Sequence, residues 1–146
     1  MSDIALRWIE RDDPLYIQER RLRFWVLRQP LGMPEGSEEN PHEARCRHCV
    51  ALEAGRVVGC VLALPDGDSP SVKLLQMAIA PDQRARGIGS LLVRELERRA
   101  RDEGAHEVYM HARISAQGFY ERLGYAPVGE VFDEVGLPHV KMTRHI

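Results

Sequence analysis

The chain has 146 residues, 44% hydrophobic and 29% charged, enough to bury one core and too apolar for intrinsic disorder. Twenty Lys and Arg against 22 Asp and Glu leave a net charge of −2, without the basic excess expected of a sequence-independent nucleic-acid binder. No run approaches the roughly 20 apolar residues that span a bilayer, no secretory pattern opens the chain, and three cysteines, an odd number, make no disulfide framework.

The expectation is one cytoplasmic domain over residues 1–146, free of internal repeats. Asp12-Asp13-Pro14 reads as a helix start, with acids at the positive dipole end and Pro in the first turn. The helix runs from about Leu15 to Val26 or Leu27, with Leu15, Leu22 and Val26 on one stripe. Residues 30–41, rich in Pro, Gly and acids, read as a long loop. Two apolar runs, Cys49–Leu52 and Val57–Leu64, flank Glu53-Ala54-Gly55-Arg56 and predict a hairpin. After the turn cluster at residues 65–70, Val72–Ile79 reads as a third strand.

Gly87 to Glu103 is the clearest helix. Leu92, Leu96 and Ala100 recur every four residues, charged residues cover the other faces, and Gly104 stands at the cap position. Arg94, Arg98, Arg99 and Arg101 interleave with acids there, as on a solvated surface. Val108–Ile114 reads as a strand, Ser115 as the cap of a short helix through Leu123, and Tyr125–Val131 and His139–Thr143 as two last strands. This order predicts a mixed sheet with helices on both faces.

The segment most informative about function is Leu75-Gln76-Met77-Ala78-Ile79-Ala80-Pro81-Asp82-Gln83-Arg84-Ala85-Arg86-Gly87-Ile88-Gly89-Ser90. An apolar strand turns sharply into a helix, and glycines stand two apart in the turn. Free N–H groups and the dipole at a helix start favour anions, and Arg84 and Arg86 add charged donors. Together these predict a phosphate cradle. A P-loop would need Lys after the glycine, and a dinucleotide fingerprint a third glycine where Leu92 stands.

Arg84-Ala85-Arg86-Gly87-Ile88-Gly89 resembles the acetyl-CoA diphosphate loop of the GNAT superfamily of N-acetyltransferases. Met77-Ala78-Ile79-Ala80-Pro81 is similar to that family's strand with its closing Pro. Phe119-Tyr120-Glu121-Arg122-Leu123-Gly124-Tyr125 is similar to its second signature, one helix and one strand downstream. The two motifs cover roughly residues 72 to 127. Many members carry an Asn before the second helix, where this chain has Ile114-Ser115. Residues 132–142, from Phe132 to Met142, look like a pattern in some bacterial branches of the family.

The resemblance implies an α/β (α+β) fold: a mixed, mostly antiparallel sheet flanked by helices, with a splayed parallel strand pair. It implies acetyl-CoA as cosubstrate, with Met77, Ala78 and Ile79 along its pantetheine arm. Arg84, Ala85, Arg86, Gly87, Ile88, Gly89 and Ser90 would then lie at its diphosphate. Tyr120 matches the tyrosine beside the sulfur and is assigned as general acid on that resemblance; spacing alone favours a core aromatic, which is also the reading of Phe119. The family also suggests a homodimer. The implied reaction is direct acetyl transfer to an amine, small molecule or peptide, and the alternative is a catalytically silent acyl-CoA-binding module.

The general base stays open between His111, Glu134, His139 and a chain of waters; each of the three side chains also reads as an ordinary surface or strand residue. Cys46-Arg47-His48-Cys49 lacks the second ligand pair of a structural zinc site, so no metal is expected. The loop acids Glu35, Glu38 and Glu39 hint at a cationic acceptor.

Overall fold

The computed structural model describes residues 3–146. In chain order the strands and longer helices are β1 (Ala5–Ile9), α1 (Leu15–Leu27), β2 (Arg47–Glu53), β3 (Arg56–Pro65), β4 (Ser71–Ile79), α2 (Ile88–Asp102), β5 (Glu107–Arg113), α3 (Gln117–Arg122), β6 (Ala126–Glu134) and β7 (Leu137–His145). The strands form one seven-stranded sheet in the order β1-β2-β3-β4-β5-β7-β6. Every neighbouring pair is antiparallel except β4 with β5. None of the described helices is long and apolar enough to cross a membrane.

The two faces explain the apolar patterns. Leu92, Val93, Leu96 and Ala100 of α2, with Tyr120 of α3, bury against Val58, Val61, Leu74, Val108 and Met110 on one face. Leu22 of α1 covers Val50, Val57, Cys60 and Ala78 on the other, with Leu15 and Val26 beside it. A strand covered on both sides needs no polar alternation, hence the unbroken run of β3, buried from Val57 to Leu64. Gly59 lets α2 approach: a Cβ there would lie 3.0 Å from Ile88 and 3.3 Å from Leu92.

The structure adds an element that the reading of the sequence lacked. β1 pairs with β2 from Ala5↔Leu52 to Ile9↔His48. Its period-two signal is short, but Trp8 secures it under α2, donating Nε1–H to Glu95 Oε2 at 2.7 Å while Arg99 stacks 4.5 Å from the ring centroid. The expected Ser115 cap is also corrected. Residues 114–116 form a 3-10 turn, and α3 starts from Ala116 without a side-chain cap. Ser115 is exposed there.

Two departures from regular sheet position the site. β4 and β5 pair only from Ser71↔Glu107 to Lys73↔Tyr109. Beyond that, β4 stays with β3 and β5 stays with β7, so the facing edges from Leu74 and Met110 onward part. β4 also carries one extra residue: Cys60 and Leu62 of β3 face Ala78 and Leu75, and Gln76 takes a φ of 44°. A bulge of this kind bends its strand and increases the local twist.

A buried ionic cluster grips the bulge. Arg23, fully buried on α1, donates Nε–H to Gln76 Oε1 at 2.7 Å. Its other nitrogens reach Glu19 Oε2 at 2.9 Å, Glu43 at 2.7 and 2.8 Å, and the Glu38 carbonyl at 2.8 Å. Gln76 Nε2–H donates to the same carbonyl at 2.9 Å. Burial alone would raise the Glu43 carboxyl, but hydrogen bonds from Arg23 and Tyr16 overcome it and hold the group at about 2. The long loop between α1 and β2 is thereby fastened to the sheet.

Candidate active site

The glycine turn takes an irregular run of backbone conformations. After a 3-10 turn over Pro81–Gln83, Arg84 is extended, Ala85 takes φ 67° and Gly87 φ 78° before α2 begins. Left-handed residues thus stand on both sides of Arg86, and left-handed residues are a recurrent component of backbone anion nests. Ile88, Gly89 and Ser90 open the helix with no helical carbonyl four residues back for their amides. A Cβ on Gly87 would meet nothing within 4 Å, so the space beside that position is open. Gly89 instead has neighbours: a Cβ there would lie 3.1 Å from the Phe119 ring and 3.6 Å from Met77.

The two arginines of this turn differ. Arg84 is exposed. Arg86 is half-buried and donates to Glu53 Oε2 at 2.6 Å and to Gln83 Oε1, so its guanidinium is tied to the turn itself and braces it. The residues therefore fit a diphosphate through backbone amides first, with Arg84 as the accessible side-chain cation.

The parted edges of β4 and β5 border a cleft of about 470 Å³, and its wall residue Met77 lies against Gly89 at the start of α2. Leu74 to Met77 line one wall, Met110 to Arg113 the other, and Tyr120 lies between them. Ala78 and Ile79 continue β4 beyond the cleft, paired with Cys60 and Gly59. Tyr120 is 6% exposed, with edge-on ring contacts to Phe119 and Tyr125 at 5.0 and 5.9 Å. Burial pushes its hydroxyl well above the ordinary phenol value, which keeps the proton on at neutral pH.

The far end of the cleft brings His111, Glu134 and His139 together, from β5, β6 and β7. His111 Nδ1 lies 3.0 Å from Glu134 Oε1, and the imidazole meets Phe132 edge-on at 5.0 Å. His139 is buried, with Nδ1–H donating to the Leu137 carbonyl at 2.8 Å and Nε2 3.7 Å from Glu134 Oε2. A histidine held by a carboxylate through Nδ1 presents Nε2 as its proton acceptor.

Other expectations from the sequence land elsewhere. The loop acids do not line the cleft: Glu38 is buried against Arg20, whose Nε donates to Glu38 Oε2 at 2.6 Å, and Glu35 and Glu39 face solvent. Cys46, Cys49 and Cys60 are free and buried, and burial pushes the Cys49 thiol up to about 12. Glu19, Glu43 and His48 place ligand atoms within 4.8 Å of one another; Arg23 donates to both carboxylates and supplies the positive charge among them.

The glycine turn, the parted parallel strands and the buried tyrosine lie within a stretch that matches a known family. The family model described as "Acetyltransferase (GNAT) family" matches residues 6–125. The chain belongs to the GNAT acetyltransferases. It is similar to a Bacillus subtilis (strain 168) protein provisionally named an acetyltransferase, 34% identical over 126 residues that make up 84% of each chain. Among solved structures it is similar to an acyl-CoA N-acyltransferase from Pseudomonas aeruginosa, with a TM-score of 0.83 and 23% identity over 97% of this chain and 99% of that one. It is also similar to an aminoglycoside 6'-N-acetyltransferase complexed with coenzyme A, with a TM-score of 0.79 and 21% identity over 97% and 96%. This GNAT member is therefore an acyltransferase that draws its acyl group from CoA.

Proposed function

We propose that the protein is an N-acetyltransferase that moves an acetyl group from acetyl-CoA directly onto an amine. The observation that supports this best is that Met77, Tyr120 and His111 line one cleft, reached through the parted edges of the parallel pair. Acetyl-CoA supplies the activated acyl thioester. The amides of residues 84–90 hold its diphosphate, and the edges of β4 and β5 flank its pantetheine arm as neighbouring strands would.

Three tasks then fall to the chain. Amides around Met77 to Ile79, re-aimed by the bulge, face the thioester carbonyl and stabilise the charge that develops on its oxygen. His111, oriented by Glu134, takes a proton from the attacking amine, whose free pKa near 10 would leave it mostly protonated. Tyr120 gives its proton to the departing thiolate. A C–N bond forms, the C–S bond breaks, and the products are the N-acetyl amine and CoA thiol. No buried cysteine among the described three lies in the cleft lining, which supports direct attack.

Tyr120→Phe tests the assignment. We expect kcat to fall about 100-fold while the affinity for CoA is unchanged. Full activity would remove the acid from the scheme. CoA binding with no thiol released from any amine by the unaltered protein would leave a silent acyl-CoA-binding module instead.

A further inference from the structure

The acceptor end of the cleft holds two guanidiniums that the scheme above does not use. Arg28 follows the last turn of α1, and Arg113 is the last residue of β5, on the opposite wall. Both converge on one acceptor, the Leu27 carbonyl: Arg113 Nη2–H donates at 3.0 Å and Arg28 Nη1–H at 3.3 Å. Arg28 Nε–H also reaches the Ser37 carbonyl at 3.3 Å.

Two like charges are thus drawn together at a half-buried site, and among the described residues neither has a carboxylate within ion-pair distance. Burial and the neighbouring Arg113 push the Arg28 guanidinium below its ordinary value, and burial does the same to Arg113. Glu134, the one carboxylate among the described residues that line the cleft, is engaged by His111. Capping the end of α1 would need only one cation. Glu134 and Glu38 attract Arg28 from beyond ion-pair distance but do not outweigh burial and the neighbouring arginines. Desolvated like charges without a directly paired counter-ion are unfavourable unless a ligand completes them. Arg28 Nη2, Arg113 Nε and Arg113 Nη1 have no partner among the described residues, and a guanidinium fork matches a carboxylate in geometry as well as charge.

We infer that Arg28 and Arg113 bind a carboxylate on the acceptor, so the substrates are amines that also bear a carboxylate, not polyamines. This rests on the acetyl-transfer reading and narrows it.

The test pairs amino acids of increasing amine–carboxylate separation, from glycine to 6-aminohexanoate, with alkylamines and diamines of equal length. The best amino acid should exceed its uncharged counterpart in kcat/KM by about tenfold or more, the worth of a charged hydrogen-bonded pair. Arg113→Gln and Arg28→Gln should bring that ratio towards one, with KM for acetyl-CoA unchanged; Arg113→Lys should restore part of it. Preference for the diamine, or an unchanged ratio in both Gln variants, overturns the inference.

Calorimetry on CoA-loaded protein decides the matter independently of turnover. The N-acetyl amino acids should bind more tightly than their methyl amides, and Arg113→Gln should abolish the difference; equal binding of acid and amide overturns the inference. Acetylation without charge preference defeats this inference alone. Absence of any acetylation defeats the proposed function, while calorimetry still decides the carboxylate site.

Discussion

Gly87→Glu is expected to lower CoA affinity about 100-fold, a loss of roughly 3 kcal/mol. Two effects combine. Gly87 sits at φ 78° immediately before α2, a conformation that an L side chain adopts only with strain. The added carboxylate would also stand in the open space beside the turn, where nothing lies within 4 Å, and would repel the diphosphate it displaces. Gly87→Asn separates the two effects, because Asn tolerates the left-handed region and brings no charge; it should lose much less affinity. CoA affinity measured by calorimetry, with circular dichroism to confirm folding, provides the check. Undiminished binding by Gly87→Glu would place the diphosphate elsewhere.

The second large effect concerns stability. Arg23→Met should cost about 3–5 kcal/mol, because Glu19 and Glu43 would remain buried and close together without the cation that joins them. In thermal unfolding this is a fall of roughly 10 °C in Tm. The pH dependence carries a further signature. Glu43 is held at about 2 against an ordinary 4.5, so its contribution is complete above pH 4.5 and disappears as pH falls towards 2. Arg23→Met should lose most of that acid dependence. A variant as stable as the parent, with the same acid profile, would show that the cluster does not fasten the loop and bulge. Because Arg23 also grips Gln76, the variant should weaken catalysis at temperatures where it is still folded.

The sequence made some of this legible and hid the rest for physical reasons. The strand–turn–helix at residues 72–90 was readable because its constraints are local: apolar run, closing Pro, paired glycines. The α2 stripe was readable for the same reason. β1 was missed because five residues give little periodicity, although Leu6 and Trp8 alternate with Ala5 and Arg7. The ionic cluster leaves a partial signal in the sequence. Glu19 and Arg23 lie four apart on the same stripe as Leu15, Leu22 and Val26, and charges on an apolar stripe imply a buried partner. That partner, Glu43, comes from the loop, so only tertiary structure names it.

Arg28 and Arg113, 85 positions apart in the chain, meet only because the end of α1 lies over the end of β5. The loop acids hint at a cationic acceptor through their charge, but charge in a sequence says nothing about which way a carboxylate turns. Glu38 turns inward to Arg20.

The most direct measurement is a crystal structure of the protein with acetyl-CoA. The account predicts the diphosphate on the amides of residues 84–90, pantetheine between β4 and β5, and the thioester sulfur beside Tyr120 with its carbonyl towards Met77–Ile79. Acetyl-CoA ordered elsewhere, or a thioester pointing away from Tyr120 and the His111–Glu134 end of the cleft, would contradict it.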